Sequence, residues 1–120
     1  AAPQLWLAGG IGITPFLALL RTGPVSQETT LVYLYRAEAD AAFLQELRAL
    51  TARDPQLSLR AVTTGNEPPN LDSLLPAAGE IAGHECYLGG PPAMLAAVRQ
   101  SLHKRGITPR HIHFENFGFR

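Results

Sequence analysis

Cysteine is nearly absent: Cys86 stands alone, so no intrachain disulfide can form and no thiolate metal cluster can be built. A reducing compartment is compatible with that scarcity. Charge of one sign is not in excess either. Ten basic and ten acidic side chains leave a formal net charge of zero, which implies no general attraction to nucleic acid or to a membrane surface. Five of the ten cations (Arg99, Lys104, Arg105, Arg110 and Arg120) fall late in the chain, opposed there only by Glu115. Helix-end charges and a solvated tail account for most of that skew. Long apolar runs are missing as well. The longest, Leu5 to Leu20, is broken by Gly9, Gly10, Gly12, Thr14 and Pro15. It falls short of the roughly twenty residues a membrane helix needs, and it has neither the basic start nor the cleavage pattern of a signal peptide. No membrane segment is expected. Gly9 to Gly12 contains no serine for a nucleophile elbow and no lysine for a Walker phosphate loop, so hydrolysis by either route is unsupported.

What the chain does have is enough apolar material for one core. Its 120 residues are 46% hydrophobic and 17% charged, a size and balance that suit a single folded domain rather than a disordered segment. The stretch Ala8-Gly9-Gly10-Ile11-Gly12-Ile13-Thr14-Pro15 lies between Leu5-Trp6-Leu7 and Phe16-Leu17-Ala18-Leu19-Leu20. It reads as a strand, a glycine turn and a helix with proline in its first turn, where the missing N–H costs nothing. Glycines let a ligand approach the backbone, and N–H groups at a helix start favour phosphate. The ordinary dinucleotide fingerprint is not met, because Pro15 stands where a third Gly or Ala belongs. A glycine turn of this kind also serves simple packing between strand and helix.

Further along, Thr30 to Tyr35 is a continuous apolar, β-favouring run, the mark of a strand covered on both faces. Asp40 is placed to cap a helix whose buried stripe is Phe43, Leu47 and Leu50. Leu57 to Val62 alternates at first, as an edge strand does, and a short helical turn is expected around Leu71–Leu75. Gly79 to Gly83 reads as a loop from which Ile81 packs inward. A fourth strand, Glu85 to Leu88, runs into Gly89-Gly90-Pro91-Pro92 and a helix with Met94, Val98 and Leu102 on its buried stripe. Ile107 to Phe114 reads as a fifth strand. Strands alternating with helices predict a three-layer α/β, Rossmann-like domain over residues 1–114, with a five-stranded parallel sheet in the order 3-2-1-4-5 and a tail at 115–120. In that order the two Gly-Pro turns end adjacent central strands, at the switch point where α/β sheets bind ligands.

Gly10-Ile11-Gly12-Ile13-Thr14-Pro15, followed by Gly90-Pro91-Pro92-Ala93-Met94, resembles the NAD(P)-binding domain of the ferredoxin–NADP reductase superfamily. Tyr33-Leu34-Tyr35-Arg36 and Phe117-Gly118-Phe119-Arg120 make it most similar to bacterial ferric-reductase-like members. The resemblance implies that NAD(P)H lies with its pyrophosphate on Gly10, Ile11, Gly12, Thr14 and Pro15. Its nicotinamide and ribose then lie beside Gly89, Gly90, Pro91 and Met94. It also implies FAD, held mainly by an upstream domain, and places Phe117, after Glu115, as the aromatic residue shielding the flavin. A hydrophobic tail on the domain surface is the plainer reading of Phe117 and Phe119. Only four residues precede the first strand, so the chain is expected to be one domain of a longer protein.

Three departures from the family pattern stand out. Ile11 replaces a frequent threonine. Gly89 occupies the place of a common cysteine, while Cys86 falls inside a strand as a buried thiol. Thr63-Thr64 replaces the Ser-Arg pair that holds a 2′-phosphate in NADP-specific members, although Arg36 lies where some NADP-using relatives place another phosphate-binding arginine. NADH versus NADPH therefore stays open. His111 and His113 alternate on one strand face without a third ligand nearby in sequence other than Glu115, which reads as a solvated or satisfied pair rather than a metal site. Hydride transfer requires no acid or base from the protein, so no catalytic side chain and no metal are expected. The implied function is the pyridine-nucleotide half of a flavin-dependent oxidoreductase in the cytoplasm, or on the cytoplasmic face of a membrane-bound parent. It would deliver electrons singly to haem, iron or an iron–sulfur protein. The alternative is a non-enzymatic nucleotide-sensing or partner-docking module.

Overall fold

Strands with apolar side chains on both sides of the pleat must lie inside a sheet covered on both faces. That is where the two most apolar runs are found. The structure is a computed structural model that describes residues 2–37, 43–66 and 70–114. Its strands are β1 (Gln4–Gly9), β2 (Thr29–Tyr35), β3 (Leu57–Thr63), β4 (Glu85–Gly89) and β5 (Ile112–His113). They form one sheet in the order β3-β2-β1-β4-β5, and every pairing is parallel. Leu5, Leu7, Leu31 and Val32 are all fully buried. On β3, by contrast, Ser58, Arg60 and Thr63 are exposed between Leu57, Leu59 and Ala61, as an edge strand requires.

The pleat sends alternate residues to two separate cores. Leu5, Leu7, Val32, Leu34, Cys86, Leu88 and Ile112 face one side. There they meet α3 (Leu71–Leu74), α4 (Ala78–Ile81) and the long α5 (Pro92–Lys104), which contributes Leu95, Val98 and Leu102. Trp6, Ala8, Leu31, Tyr33, Tyr35 and Leu57 face the other side. They pack on Phe16, Leu17 and Leu20 of α1 (Thr14–Leu20) and on Leu44 and Leu47 of α2 (Leu44–Ala52). Two crossovers on one face and the remainder on the other follow from the right-handed rule. The fold therefore matches the three-layer α/β domain expected from sequence, strand order included.

Two local expectations need correction. Gly79 to Gly83 is not a plain loop. Ala78–Ile81 winds one helical turn, started by the Glu80 carboxylate accepting the Ala77 N–H at 3.0 Å and seated by buried Ile81. The fifth strand is also far shorter than Ile107 to Phe114. Ile107 donates its N–H to Leu102 at 3.1 Å in closing α5, and Pro109–His111 forms a 3-10 turn, so only Ile112 and His113 remain to pair with Cys86 and Tyr87. Pro109 has no N–H to give a ladder. The helix cap expected at Asp40 lies outside the described residues. Among the described residues no helix is long and apolar enough to cross a membrane.

Candidate nucleotide-binding site

β1 and β4 are neighbours along their length, with Leu7 opposite Leu88 and Ala8 opposite Gly89. The chain leaves both at the same carboxyl edge. After β1 it passes through a 3-10 turn, Gly10–Ile13, into α1; after β4 it passes Gly90 and Pro91 into α5. The two turns touch backbone to backbone. A Cβ at Gly12 would run into the carbonyl of Gly89 and lie 2.6 Å from the Gly90 nitrogen. A Cβ at Gly89 would lie 2.7 Å from the Gly12 carbonyl oxygen and 3.3 Å from the Phe16 ring. No real Cβ tolerates such spacing against backbone, so both positions must be glycine for the two strand ends to meet.

Gly10 has a different reason to be glycine. Its φ is +55°, open space surrounds the place a Cβ would occupy, and neighbouring Ile11 is 87% exposed. The lip of the first turn therefore presents bare backbone outward. Thr14 is exposed beside it, its hydroxyl donating to the Ile11 carbonyl at 3.0 Å, while Pro15 is half-buried under the turn. On the second turn Gly90 has φ +153°, and Met94 reaches back over it. A Cβ at Gly90 or at Gly9 would collide with the Met94 methyl, and at Gly9 with its sulfur too. Pro91 is exposed, and with Pro92 it removes two donors from the start of α5. The first turn thus carries the polar backbone and the second is proline-headed and roofed by a thioether.

One strand further out, Arg36 and Thr63 come together at the same edge. Tyr35 pairs with Thr63, the Thr64 N–H donates to the Tyr35 carbonyl at 2.8 Å, and the Gly65 N–H donates to the Arg36 carbonyl at 3.0 Å. Both Arg36 and Thr63 are exposed. Gly10, Ile11, Gly12, Thr14, Pro15, Arg36, Thr63, Gly89, Gly90, Pro91 and Met94 therefore all lie along one sheet edge. Glu115 and Phe117, expected at the flavin, lie outside the described residues. Cys86 is fully buried, and burial, with Glu85 adding, pushes its thiol up to about 12. It is an inert core residue.

An oxidoreductase NAD-binding domain model matches residues 6–100. The chain belongs to that family. The NAD-binding domain is 34% identical over 125 residues to the ferredoxin–NAD(P)+ reductase component of the naphthalene 1,2-dioxygenase/salicylate 5-hydroxylase systems of a Ralstonia species, covering 96% of this chain and 38% of that protein. It is 36% identical over 121 residues to the heme-dependent oxidative N-demethylase beta subunit of Ectopseudomonas mendocina, covering 98% and 36%. Its fold is also that of the flavohem-like FAD/NAD binding domain of nitric oxide dioxygenase from Vibrio cholerae, with a TM-score of 0.77 at 24% identity over 95% of this chain and 50% of that one. The NAD-binding domain spans little more than a third of the length of the two curated relatives. The resemblance to the ferredoxin–NADP reductase superfamily therefore holds.

Sequence reading missed two features. One is the packing reason for Gly12 and Gly89, which only the apposition of β1 and β4 reveals. The other is a clasp at the opposite end of β4. Glu85 holds His111 Nδ1 at 2.8 Å and His113 Nε2 at 2.7 Å, one carboxylate oxygen to each ring. Alternating histidines beside a strand that opens on glutamate were the available signal, and parallel register supplies the rest. Those two hydrogen bonds, that from His113 first, hold the Glu85 carboxyl below its ordinary value. Among the described residues no group of three or more His, Cys, Asp or Glu is arranged to hold a metal. A cavity of about 280 Å³ lies away from the crevice. It lies near the amino ends of the strands, between Gln4, Trp6, Phe16 and Tyr87.

Proposed function

We propose that the domain is the pyridine-nucleotide half of a flavin-dependent reductase, binding NAD(P)H across the carboxyl edge of its sheet. The observation that carries this reading is the backbone contact of Gly12 with Gly89, which makes one crevice out of two turns at adjacent central strands. Gly10, Ile11, Gly12 and Thr14, with Pro15 shaping the turn, would hold the pyrophosphate, because the lip offers exposed backbone and a hydroxyl that can be turned outward. Gly89, Gly90, Pro91 and Met94 would receive the nicotinamide end, where few donors and a soft thioether suit an uncharged ring. Arg36 and Thr63 would face the 2′ position of the adenosine ribose. A guanidinium there fits phosphate, whereas the neighbouring threonine pair adds no charge.

When bound, NAD(P)H would supply hydride chemistry to an FAD held on a separate domain, with Glu115 and Phe117 assigned to the flavin side. The domain's own task is orientation and exclusion of water. Electrons would leave the flavin singly for haem, iron or an iron–sulfur partner. Two of these destinations have support among the curated relatives, one being a ferredoxin–NAD(P)+ reductase component of a dioxygenase system and the other a subunit of a heme-dependent demethylase. Stopped-flow absorbance at the flavin band, on the polypeptide that joins this domain to its flavin domain, tests the reading. Rapid bleaching on mixing with NADH or NADPH is expected. No bleaching by either would leave a nucleotide-sensing or partner-docking module instead.

A further inference from the structure

The chain carries two sulfur atoms, one in Cys86 and one in Met94, its single methionine. Their surroundings are opposite. Cys86 is fully buried inside β4, and burial pushes its thiol up to about 12, so little thiolate exists to meet an oxidant. Met94 is only half-buried, in the first turn of α5, where it packs against the core that α5 shares with β1 and β4. Its thioether end sits in a defined seat. Sulfur and methyl each lie 2.4 Å from the place a Cβ of Gly9 would take, and the methyl 2.4 Å from that of Gly90. Pro91 borders the seat, its Cδ 3.6 Å from the same point at Gly9. Oxidation to the sulfoxide turns this apolar end into a polar one. The new oxygen needs room and a hydrogen-bond donor. On the Gly9 side the room is already taken by the sulfur, and Pro91 and Pro92 have no N–H to offer. The oxidised side chain therefore leaves its seat and swings outward over the second turn.

We propose that Met94 is an oxidation site, at which hydrogen peroxide closes the nicotinamide end of the crevice and leaves the phosphate end open. The proposal rests on the reading above that the second turn receives nicotinamide. Atoms and electrons balance in the step. A lone pair of Sδ attacks one peroxide oxygen, and an S–O bond forms as the O–O bond breaks. The proton freed from the transferred oxygen joins the departing hydroxide as water. Sulfur gives up two electrons and peroxide takes them. Hydrogen peroxide is what dioxygen becomes on taking two electrons from a reduced flavin, so a reductase deprived of its acceptor would meet this oxidant at close range. The first turn is out of reach of the change. Nothing, Met94 included, lies within 4 Å of the Cβ position at Gly10, so the outward lip keeps its shape.

The test treats the folded 120-residue chain with millimolar hydrogen peroxide, maps the product by peptide mass and measures nucleotide binding by amide shifts. One added oxygen is expected, on Met94, with Cys86 untouched. NADH should then bind about tenfold more weakly, as a polar group denied its partner implies. AMP affinity should change by less than about twofold. Methionine sulfoxide reductases acting on both epimers should restore NADH binding. In Met94→Leu, whatever affinity that variant starts from, peroxide should change NADH binding by less than about twofold. A Met94 that stays unoxidised until the chain unfolds, or an oxidised one with NADH affinity unchanged, would overturn the proposal. So would equal weakening of NADH and AMP, because oxidation would then be damaging the whole domain rather than one end of its site. Failure of the functional reading looks different. It would show in the untreated chain, with NADH binding no tighter than AMP and the Gly90 and Met94 amides silent, and the proposal would fall with it. An untreated chain that responds to NADH at both turns, and still does so after Met94 is oxidised, would sink the oxidation site alone.

Discussion

The two glycine turns at the carboxyl edge look alike in sequence, each leaving a strand through glycine and entering a helix through proline. In space they do opposite things. The first turns its Gly10 lip outward, with φ +55° and Ile11 87% exposed, and presses only Gly12 inward. The second presses Gly89 against Gly12 and puts Gly90 under Met94. A shared glycine therefore has three separate causes here: a positive φ at an open lip, backbone contact between two strand ends, and room for a thioether. Only the first leaves space where a ligand's phosphates would fit.

Substitutions should rank by those causes. The largest effect is expected from Gly12→Ala or Gly89→Ala. Each forces a methyl against backbone that cannot move independently, so a loss at the upper end of the ~1–3 kcal/mol typical of overpacking is expected, read from urea midpoints, together with loss of nucleotide binding. Equal stability to the wild type would show that the two turns are not in contact. Gly10→Ala should cost less, ~1–2 kcal/mol for holding a non-glycine residue at positive φ, because its Cβ meets nothing within 4 Å. If Gly10→Ala proved the more damaging of the two, the distinction between lip and contact would fail.

Smaller still is the contribution of the clasp. Glu85 has its folded pKa lowered by hydrogen bonds from His113 and His111. Such a carboxyl contributes stability that is present above its unfolded value and is lost as pH falls through the folded one. The stability gap between wild type and Glu85→Gln, under about 1 kcal/mol for a partly exposed pair, should therefore be widest near neutral pH and shrink below the ordinary carboxyl value of 4.5. A gap that grew on acidification would contradict the assignment. Smallest of all is Cys86, which should resist maleimide in the native protein at neutral pH, its thiol being fully buried and pushed up to about 12. Labelling should track unfolding, and fast native labelling would mean that β4 opens locally.

Much of this was legible in the residues themselves. The unbroken apolar runs at Leu5 and Thr30 place β1 and β2 at the centre, and the alternation after Leu57 places β3 at an edge. Pro15 and Pro91 mark where helices begin. What stayed hidden depends on contacts between distant segments. The length of β5 is limited by Pro109 and by Ile107 bonding back to α5, which periodicity does not reveal. Ile81 and Glu80 make a helical turn out of a glycine-flanked stretch that composition alone marks as loop. Glu85 finds its histidines only through strand register, and Gly12 finds Gly89 only because β1 and β4 are adjacent. The site was readable as a pair of turns; the reasons for its individual glycines were not.

The central claim is that nucleotide binds in the crevice between these turns. Titration of the isotopically labelled chain with NADH, NADPH and AMP, followed by amide shifts, tests it most directly. The expected result is shifts concentrated at Gly10–Thr14 and Gly90–Met94, with Arg36 and Thr63 responding more strongly to NADPH than to NADH if the 2′-phosphate is read there. Silence at both turns at millimolar ligand, or shifts confined to the Trp6–Tyr87 groove at the other end of the sheet, would contradict it.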